Sequence, residues 1–246
     1  MSQVWTPACD YSFARPNLDD LYKRGYRVIF RYISRDMAKC ITRAEMQSLT
    51  RRGFQVALVF EDAAGRALQG AAAGRADAAY SMAVCDHLGI SKPYRVHFAE
   101  DYDPNVYPIG RTDDYAAQFA AVFGKANTGP YGGFRAVDHF RRAGYGLGWQ
   151  TFAWSYGAWS LLATSRQVAN GLIGGEIDAD VTLEPAPVHT RPEIGGLVAH
   201  EWAQLEQFVH SHYARTYWQG EWTKLTSHPV NAERLWTRLF GAHPKG

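Results

Sequence analysis

The stretch Arg95-Val-His-Phe-Ala-Glu-Asp-Tyr-Asp103 runs from an apolar strand core straight into three carboxylates, Glu100, Asp101 and Asp103. Acids are costly to bury without partners, so the cluster requires a reason. A barrel strand delivering side chains to an active-site mouth has this form. So does a solvated loop after a strand, and the triplet alone does not separate the two. Alternation puts Asp101 and Asp103 on one face with His97 and Ala99, and Glu100 on the other with Val96 and Phe98. The apolar face suits a layer packed against helices. Asp101 and Asp103 are then expected to point into the mouth.

Working outward, Val4 to Cys9 reads as a first strand ending at Asp10, and Tyr26 to Ile33 as a second. Phe54 to Phe60 is a third, closing on Glu61 and Asp62. Further strands are expected at Asn127 to Tyr131, Leu147 to Trp154, Arg166 to Asn170 and Gly175 to Leu183. Between them lie helix signals. Asn17 opens one helix, with Asp19 and Asp20 in its first turn, and Thr42 with Glu45 forms a capping box for another. An alanine-rich run from Ala67 to Leu88, a segment from Asp113 or Asp114 to Phe123, and Ala136 to Ala143 complete the set. The small residues of the alanine-rich run are expected to pack closely on the sheet.

Strands alternating with helices predict parallel βαβ units. Eight strands by residue 183 predict an α/β fold, a (β/α)8 TIM-type barrel. A doubly wound nucleotide-binding sheet would carry a glycine-rich first turn, and Asp10-Tyr-Ser-Phe-Ala-Arg-Pro16 has no glycine. Residues 184–195 hold three prolines and read as a linker between a barrel at 1–183 and an extension at 196–246. In that extension Val198, Trp202, Leu205 and Val209 recur at helical spacing. Packing on the barrel, self-association, a phage structural partner and target binding all remain open for it.

The bulk numbers narrow the function. Net charge is +2, too small to argue for nucleic acid. No apolar run is long enough to span a membrane. The N-terminus lacks the basic and apolar regions of a signal peptide, so none is expected. Cys9, Cys40 and Cys85 fit neither a disulfide framework nor a metal pattern, and no cofactor is expected. Cys9 alternates away from Asp10 and reads as a buried thiol. The aromatic fraction, 14%, is high enough to raise stacking on sugar rings as a candidate use. Metalloprotease, serine-hydrolase and phosphate-loop motifs are absent.

Barrel chemistry comes from several strand ends. Those ends supply Asp10, Tyr32, Glu61, Asp101 with Asp103, Tyr131, Trp154 and Asp178 with Asp180. Like charges so placed repel, and their clustering favours function over stability. Two carboxylates beside a glycosidic bond can divide the work of acid and stabiliser. Asp10, Glu61, Asp101 and Asp103 are the catalytic candidates. Arg31 could hold one of them ionised, or form a structural ion pair within the barrel.

The order of Cys9-Asp-Tyr-Ser, Phe30-Arg-Tyr-Ile, Thr42-x-x-Glu45, Phe98-Ala-Glu-Asp-Tyr-Asp103, Tyr131-Gly-Gly, Trp149-Gln-Thr-x-x-Trp154 and Ile177-Asp-Ala-Asp resembles a known family. It is the glycoside-hydrolase-like barrel family first catalogued as domain of unknown function 1906, found in actinobacteria and their phages. The family is more distantly similar to the family 25 glycoside hydrolases, the Chalaropsis-type lysozymes. The resemblance implies a barrel that cleaves or binds peptidoglycan glycan. In the family 25 lysozymes an Asp ends the first strand and an Asp-x-Glu ends the fourth. Asp10 matches the first, and Asp101 with Asp103 matches the pair, with Asp in place of Glu. The shorter side chain sets a carboxyl back by about 1.5 Å, one bond length. Asp103 or Glu61 is then the expected acid, and Asp101 or Asp10 the stabilising carboxylate. A site rebuilt on Glu61 or Glu100, or a barrel that binds without cleaving, are the alternatives. By the same analogy Tyr131, Gln150, Trp154 and Asp178 line a sugar groove, with Arg31, Tyr32 and Glu100 as further substrate contacts. The implied partner is cell-wall glycan, and the implied setting is a phage lysin held in the host cytoplasm until release, or carried on the virion.

Overall fold

Strands whose two faces are both apolar need cover on both sides, and a closed barrel wrapped in helices gives it. The computed structural model describes residues 5–103 and 105–183. Eight strands close into a barrel in sequence order. They are β1 (Trp5–Asp10), β2 (Val28–Ile33), β3 (Gln55–Phe60), β4 (Val96–Glu100), β5 (Thr128–Gly132), β6 (Trp149–Gln150), β7 (Ser165–Gly171) and β8 (Ile177–Leu183). Helices α1 (Leu18–Lys23), α2 (Arg43–Arg51), α3 (Gly70–Leu88), α4 (Asp113–Phe123) and α5 (Phe134–Arg142) follow the first five strands. The linker and extension expected at 184–195 and 196–246 lie outside the described residues.

The parity of each strand decides where its side chains go. Ala8, Val28, Phe30, Tyr32, Ala57, Val59, Ala99, Tyr131 and Trp149 form one buried cluster inside the barrel. Cys9, Ile29, Ile33, Val56, Leu58, Phe60, Val96 and Phe98 belong to the second, between sheet and helices. The fourth strand therefore faces as its alternation predicts.

The helices start where their caps say. Asn17 Oδ1 accepts from the Asp19 and Asp20 amides at 3.0 and 3.1 Å, and Thr42 Oγ1 accepts from the Glu45 amide at 3.1 Å. The small residues of α3 serve two contacts. Ala73 and Ala78 join the core beneath the sheet, whereas Gly74 lies against α4. A Cβ at Gly74 would sit 2.6 Å from the Tyr115 carbonyl oxygen, so the two helix backbones can approach this closely only at a glycine.

The final third departs from simple βα alternation. Among the described residues no helix joins β6 to β7. Strand β8 runs antiparallel to both β7 and β1. A parallel return needs a crossover of roughly a dozen residues. Only residues 172–176 separate β7 from β8, so the chain must double back. The mouth is consequently built from the C-terminal ends of β1 to β7 and the N-terminal end of β8. This brings Asp178 directly opposite Asp10.

Of the readings of Arg31, the structural ion pair is the one observed, and the expected substrate contact is corrected. Arg31 shares the outer face of β2 with Ile29 and Ile33 and is fully buried. Its guanidinium donates to both Glu45 oxygens at 2.6 and 3.2 Å, to the Tyr11 carbonyl at 2.5 Å and to the Lys39 carbonyl at 3.2 Å. Glu45 thus spends its carboxylate on β2 instead of closing the capping box. Arg31→Met should cost about 3–5 kcal/mol in chemical denaturation by removing the buried partner of Glu45, which keeps only the exposed Arg15 at 3.8 Å. Adding Glu45→Leu should recover most of that loss.

Candidate active site

The floor of the mouth is aromatic. The Trp149 ring centroid lies 4.2 Å from that of Phe30 and 4.2 Å from that of Tyr131. His97 sits below them, its Nδ1 3.1 Å from the Leu58 carbonyl, which fixes the ring proton on Nδ1. The Trp149 indole N–H donates to Asp180 Oδ1 at 2.8 Å.

Above the floor, strands β1 and β8 force three carboxylates together. Asp10 is buried and accepts from the Tyr32 hydroxyl at 2.8 Å and from Gln167 Nε2 at 2.9 Å. The same Gln167 nitrogen donates to Asp178 Oδ2 at 3.1 Å, and its carbonyl accepts from the Thr151 hydroxyl at 2.7 Å. Asp178 also accepts from the Gly171 amide at 2.7 Å. Burial and then repulsion from Asp178 push the Asp10 pKa up to about 7, against the hydrogen bonds from Tyr32 and Gln167. Burial and the charge of Asp10 drive Asp180 further up. Its second oxygen is buried and has no hydrogen-bond partner. Burial raises Asp178 as well.

The opposite side of the mouth carries Glu61 and Asp101. Glu61 follows β3, with its carboxylate 3.0 Å from Lys39 Nζ. Burial raises its pKa, Lys39 opposes the rise, and the charge of Asp101 adds to it. Tyr131 lies within electrostatic reach of Asp10, Glu61 and Asp101. Asp101 accepts from the Trp154 indole N–H at 3.0 Å.

Three of the expected site residues point elsewhere. Glu100 faces the helix layer, as the strand parity requires, and is buried beside α4. One of its oxygens accepts from the Thr112 hydroxyl at 2.8 Å and the other has no hydrogen-bond partner. Burial pushes its pKa up to about 8. Gln150 is fully buried outside the mouth. Its amide nitrogen donates to Ser155 Oγ at 3.0 Å and to the Ala158 carbonyl at 2.7 Å, and its oxygen accepts from the Ser160 amide at 2.8 Å. It holds the β6–β7 loop and leaves no group for a sugar. Arg31 lies beneath α2, as described. Asp103 reaches the rim, but hydrogen bonds from the Tyr156 hydroxyl and the Asn105 amide hold its carboxyl below the usual range. A group so held is poorly suited to keep the proton of a general acid.

Asp10, Tyr32, Glu61, Asp101, Tyr131 and Asp178 do converge at the mouth, with Trp154 at its edge. The sequence reading missed Gln167 and Thr151 and left Asp180 out of the site. A glutamine in a weak strand carries no signal by itself. Asp180 was readable as the i+2 neighbour of Asp178 on the same face.

The chain belongs to the family described as Rv2525c-like, glycoside hydrolase-like domain, which matches residues 19–233. No curated protein matches the sequence. Among solved structures it shares its fold with the Tat-secreted protein Rv2525c of Mycobacterium tuberculosis in complex with L-tartrate. That match has 21% identity and a TM-score of 0.65 over 75% of this chain and 97% of the other. A muramidase from Acremonium alcalophilum matches at 15% identity and TM-score 0.51, over 81% and 98% of the two chains. The modular autolysin LytC from Streptococcus pneumoniae, solved with a synthetic peptidoglycan ligand, matches at 9% identity and TM-score 0.50. That alignment covers 72% of this chain and 46% of the autolysin. No helix among the described residues is long and apolar enough to cross a membrane.

Glu100 and the mouth carboxylates make stability depend on pH with a definite sign. Each has a folded pKa above its unfolded value, so the folded state binds the proton more tightly. Their contribution is fully present below about pH 4 and is lost as pH rises through 7 and 8. Thermal melts should show a Tm falling from pH 5 to pH 9. Glu100→Gln, which cannot ionise, should flatten that slope and melt above wild type at pH 9.

Proposed function

We propose that this member of the Rv2525c-like, glycoside hydrolase-like domain family cleaves the glycan of peptidoglycan in the manner of a muramidase. The observation that carries the reading is the gathering of Asp10, Asp178 and Asp180 at the β1–β8 seam, with Glu61 and Asp101 just past the ends of β3 and β4 and within electrostatic reach of Tyr131. Separate carboxylates in unlike environments are what glycoside hydrolysis uses. The muramidase and autolysin folds support the substrate class. The finer role, a phage endolysin or a virion-associated lysin, rests on the sequence resemblance alone.

In this mechanism Glu61 donates the proton to the leaving glycosidic oxygen. Burial raises its pKa against the opposing pull of Lys39, and Lys39 is placed to steady the carboxylate formed on donation. Asp10 is the stabilising carboxylate for the positive charge that develops on the sugar ring. Its ionised form accepts from Tyr32 and Gln167, which lower the pKa of so buried a group. Asp101 supplies further negative charge at the groove wall. Two routes remain within this reading: direct attack by a carboxylate, and assistance by the acetamido group of the substrate.

Asp10→Asn and Glu61→Gln should each lower reducing-end release from purified cell walls by about 100-fold or more while sparing wall pull-down. Tyr32→Phe removes a donor that lowers the Asp10 pKa, so the limb of the pH–rate profile at about 7 should move to higher pH. A second reading, a barrel that binds wall glycan without cleaving it, is favoured by one observation. Asp103, at the position of the lysozyme Glu, is held ionised by its hydrogen bonds. Wild-type protein that is retained by walls and releases no reducing ends would establish that reading instead.

A further inference from the structure

The β6–β7 loop presents aromatic rings at alternate positions, and all of them are open to solvent. Phe152 and Trp154 are about two-fifths exposed, and Tyr156 is 70% exposed. Exposed rings would ordinarily be free to rotate. Two of these are fastened by their polar ends to the stretch that follows β4. The Trp154 indole N–H donates to Asp101 at 3.0 Å, and the Tyr156 hydroxyl donates to Asp103 Oδ2 at 2.6 Å. Residues two apart on one loop are thus bonded to residues two apart on the other.

The backbone beneath them is also constrained. Trp154 and Tyr156 have φ values of 58° and 50°, in the left-handed region that bulky residues seldom adopt. The surrounding structure enforces this. Gln150 holds the loop at three points, and the Ser155 hydroxyl accepts from the Phe134 amide at 3.0 Å. Gly133 lies under Trp154, where a Cβ would be 2.6 Å from the Trp154 carbonyl oxygen. Strained backbone, anchored polar ends and solvent-facing rings occur together beside the carboxylates of the mouth. Structural packing would bury such rings. Holding them rigid and exposed suits a flat apolar ligand face, which on a polar polymer is the C–H face of a pyranose ring.

We propose that Asp103 is a positioning residue that anchors Tyr156 and thereby fixes Tyr156 and Trp154 as a two-ring platform for consecutive sugars at the rim of the groove. The assignment of the ligand rests on the glycan reading of the mouth; the anchor itself does not. It also accounts for an aspartate at this position. Each carboxylate oxygen already accepts a hydrogen bond, from the Tyr156 hydroxyl at 2.6 Å and from the Asn105 amide at 2.9 Å.

The test uses the full chain, Asp103→Ala, Tyr156→Phe and their double variant, with peptide-free peptidoglycan glycan strands as probe. Tyrosine labelled at Cζ reports the anchor without any ligand. Asp103 raises the Tyr156 pKa, so Asp103→Ala should return that one resonance toward ordinary titration. Each single variant should weaken strand binding by about threefold to tenfold, the worth of one aromatic contact, and raise KM by more than it lowers kcat. The double variant should be no worse than the worse single, because both act through one bond. A Tyr156 resonance indifferent to Asp103 would overturn the anchor. Loss of kcat by about 100-fold in Asp103→Ala alone would make Asp103 a catalytic acid instead. Wild-type protein that neither binds nor cleaves the strands would overturn the glycan reading, and the platform's ligand with it, whatever the resonance shows.

Discussion

The pairing of Asp10 with Asp178 across the β1–β8 seam is the constraint on which the mouth depends. Closing the barrel at this register sets two carboxylates opposite each other, and Asp180 lies one inward position further down. Three acids so close, two of them buried, repel one another and resist ionisation. Every neighbour answers that problem. Tyr32 reaches from β2, Gln167 bridges from β7, and Trp149 donates from the floor. The groups that make the cluster tolerable also divide its protons unequally. Asp180 is driven well up with a single donor, Trp149, whereas Asp10, with donors from Tyr32 and Gln167, is poised at about 7. The seam therefore converts a requirement of barrel closure into a difference between two otherwise similar carboxyl groups.

Much of the architecture was legible because it follows from parity and caps. The alternation in residues 95–103 placed His97, Ala99 and Asp101 inward and Glu100 outward, and the barrel agrees. Asn17 and Thr42 announced α1 and α2 and cap them as expected. The direction of β8 was not recognised, although its signal was available. Between Arg166–Asn170 and Gly175–Leu183 there is no room for a crossover, and a hairpin follows from that shortage alone. The expectation of uniform βαβ units overrode it.

The site was legible in its acids and much less so in its supports. Asp10, Glu61, Asp101 and Asp178 stood out because unpaired charge at strand ends demands explanation. Glu100 and Gln150, expected as substrate contacts by analogy, and Arg31, for which a structural ion pair was the open alternative, share one trait. Each is polar, lies near a strand end and faces outward. Proximity along the chain was read as proximity in the mouth, although parity had already set Glu100 apart. Gln167 and Thr151 carry no charge and fall in segments without strong periodicity. Their value exists only once β7 is laid beside β8, so no local pattern could reveal them. The roles of Asp101 and Asp103 likewise depend on Trp154 and Tyr156, some fifty residues away in sequence.

The reversed last strand has a consequence for how the barrel can be built into larger assemblies. The chain enters β1 at Trp5 and leaves β8 at Leu183, and these two residues are register partners at the pole opposite the mouth. With a parallel eighth strand, the exit would fall among the mouth loops. Here both connections to further sequence start from the far pole. Additional modules can be spliced onto either side without crowding the groove. The loops around the mouth are then all internal connections of the barrel.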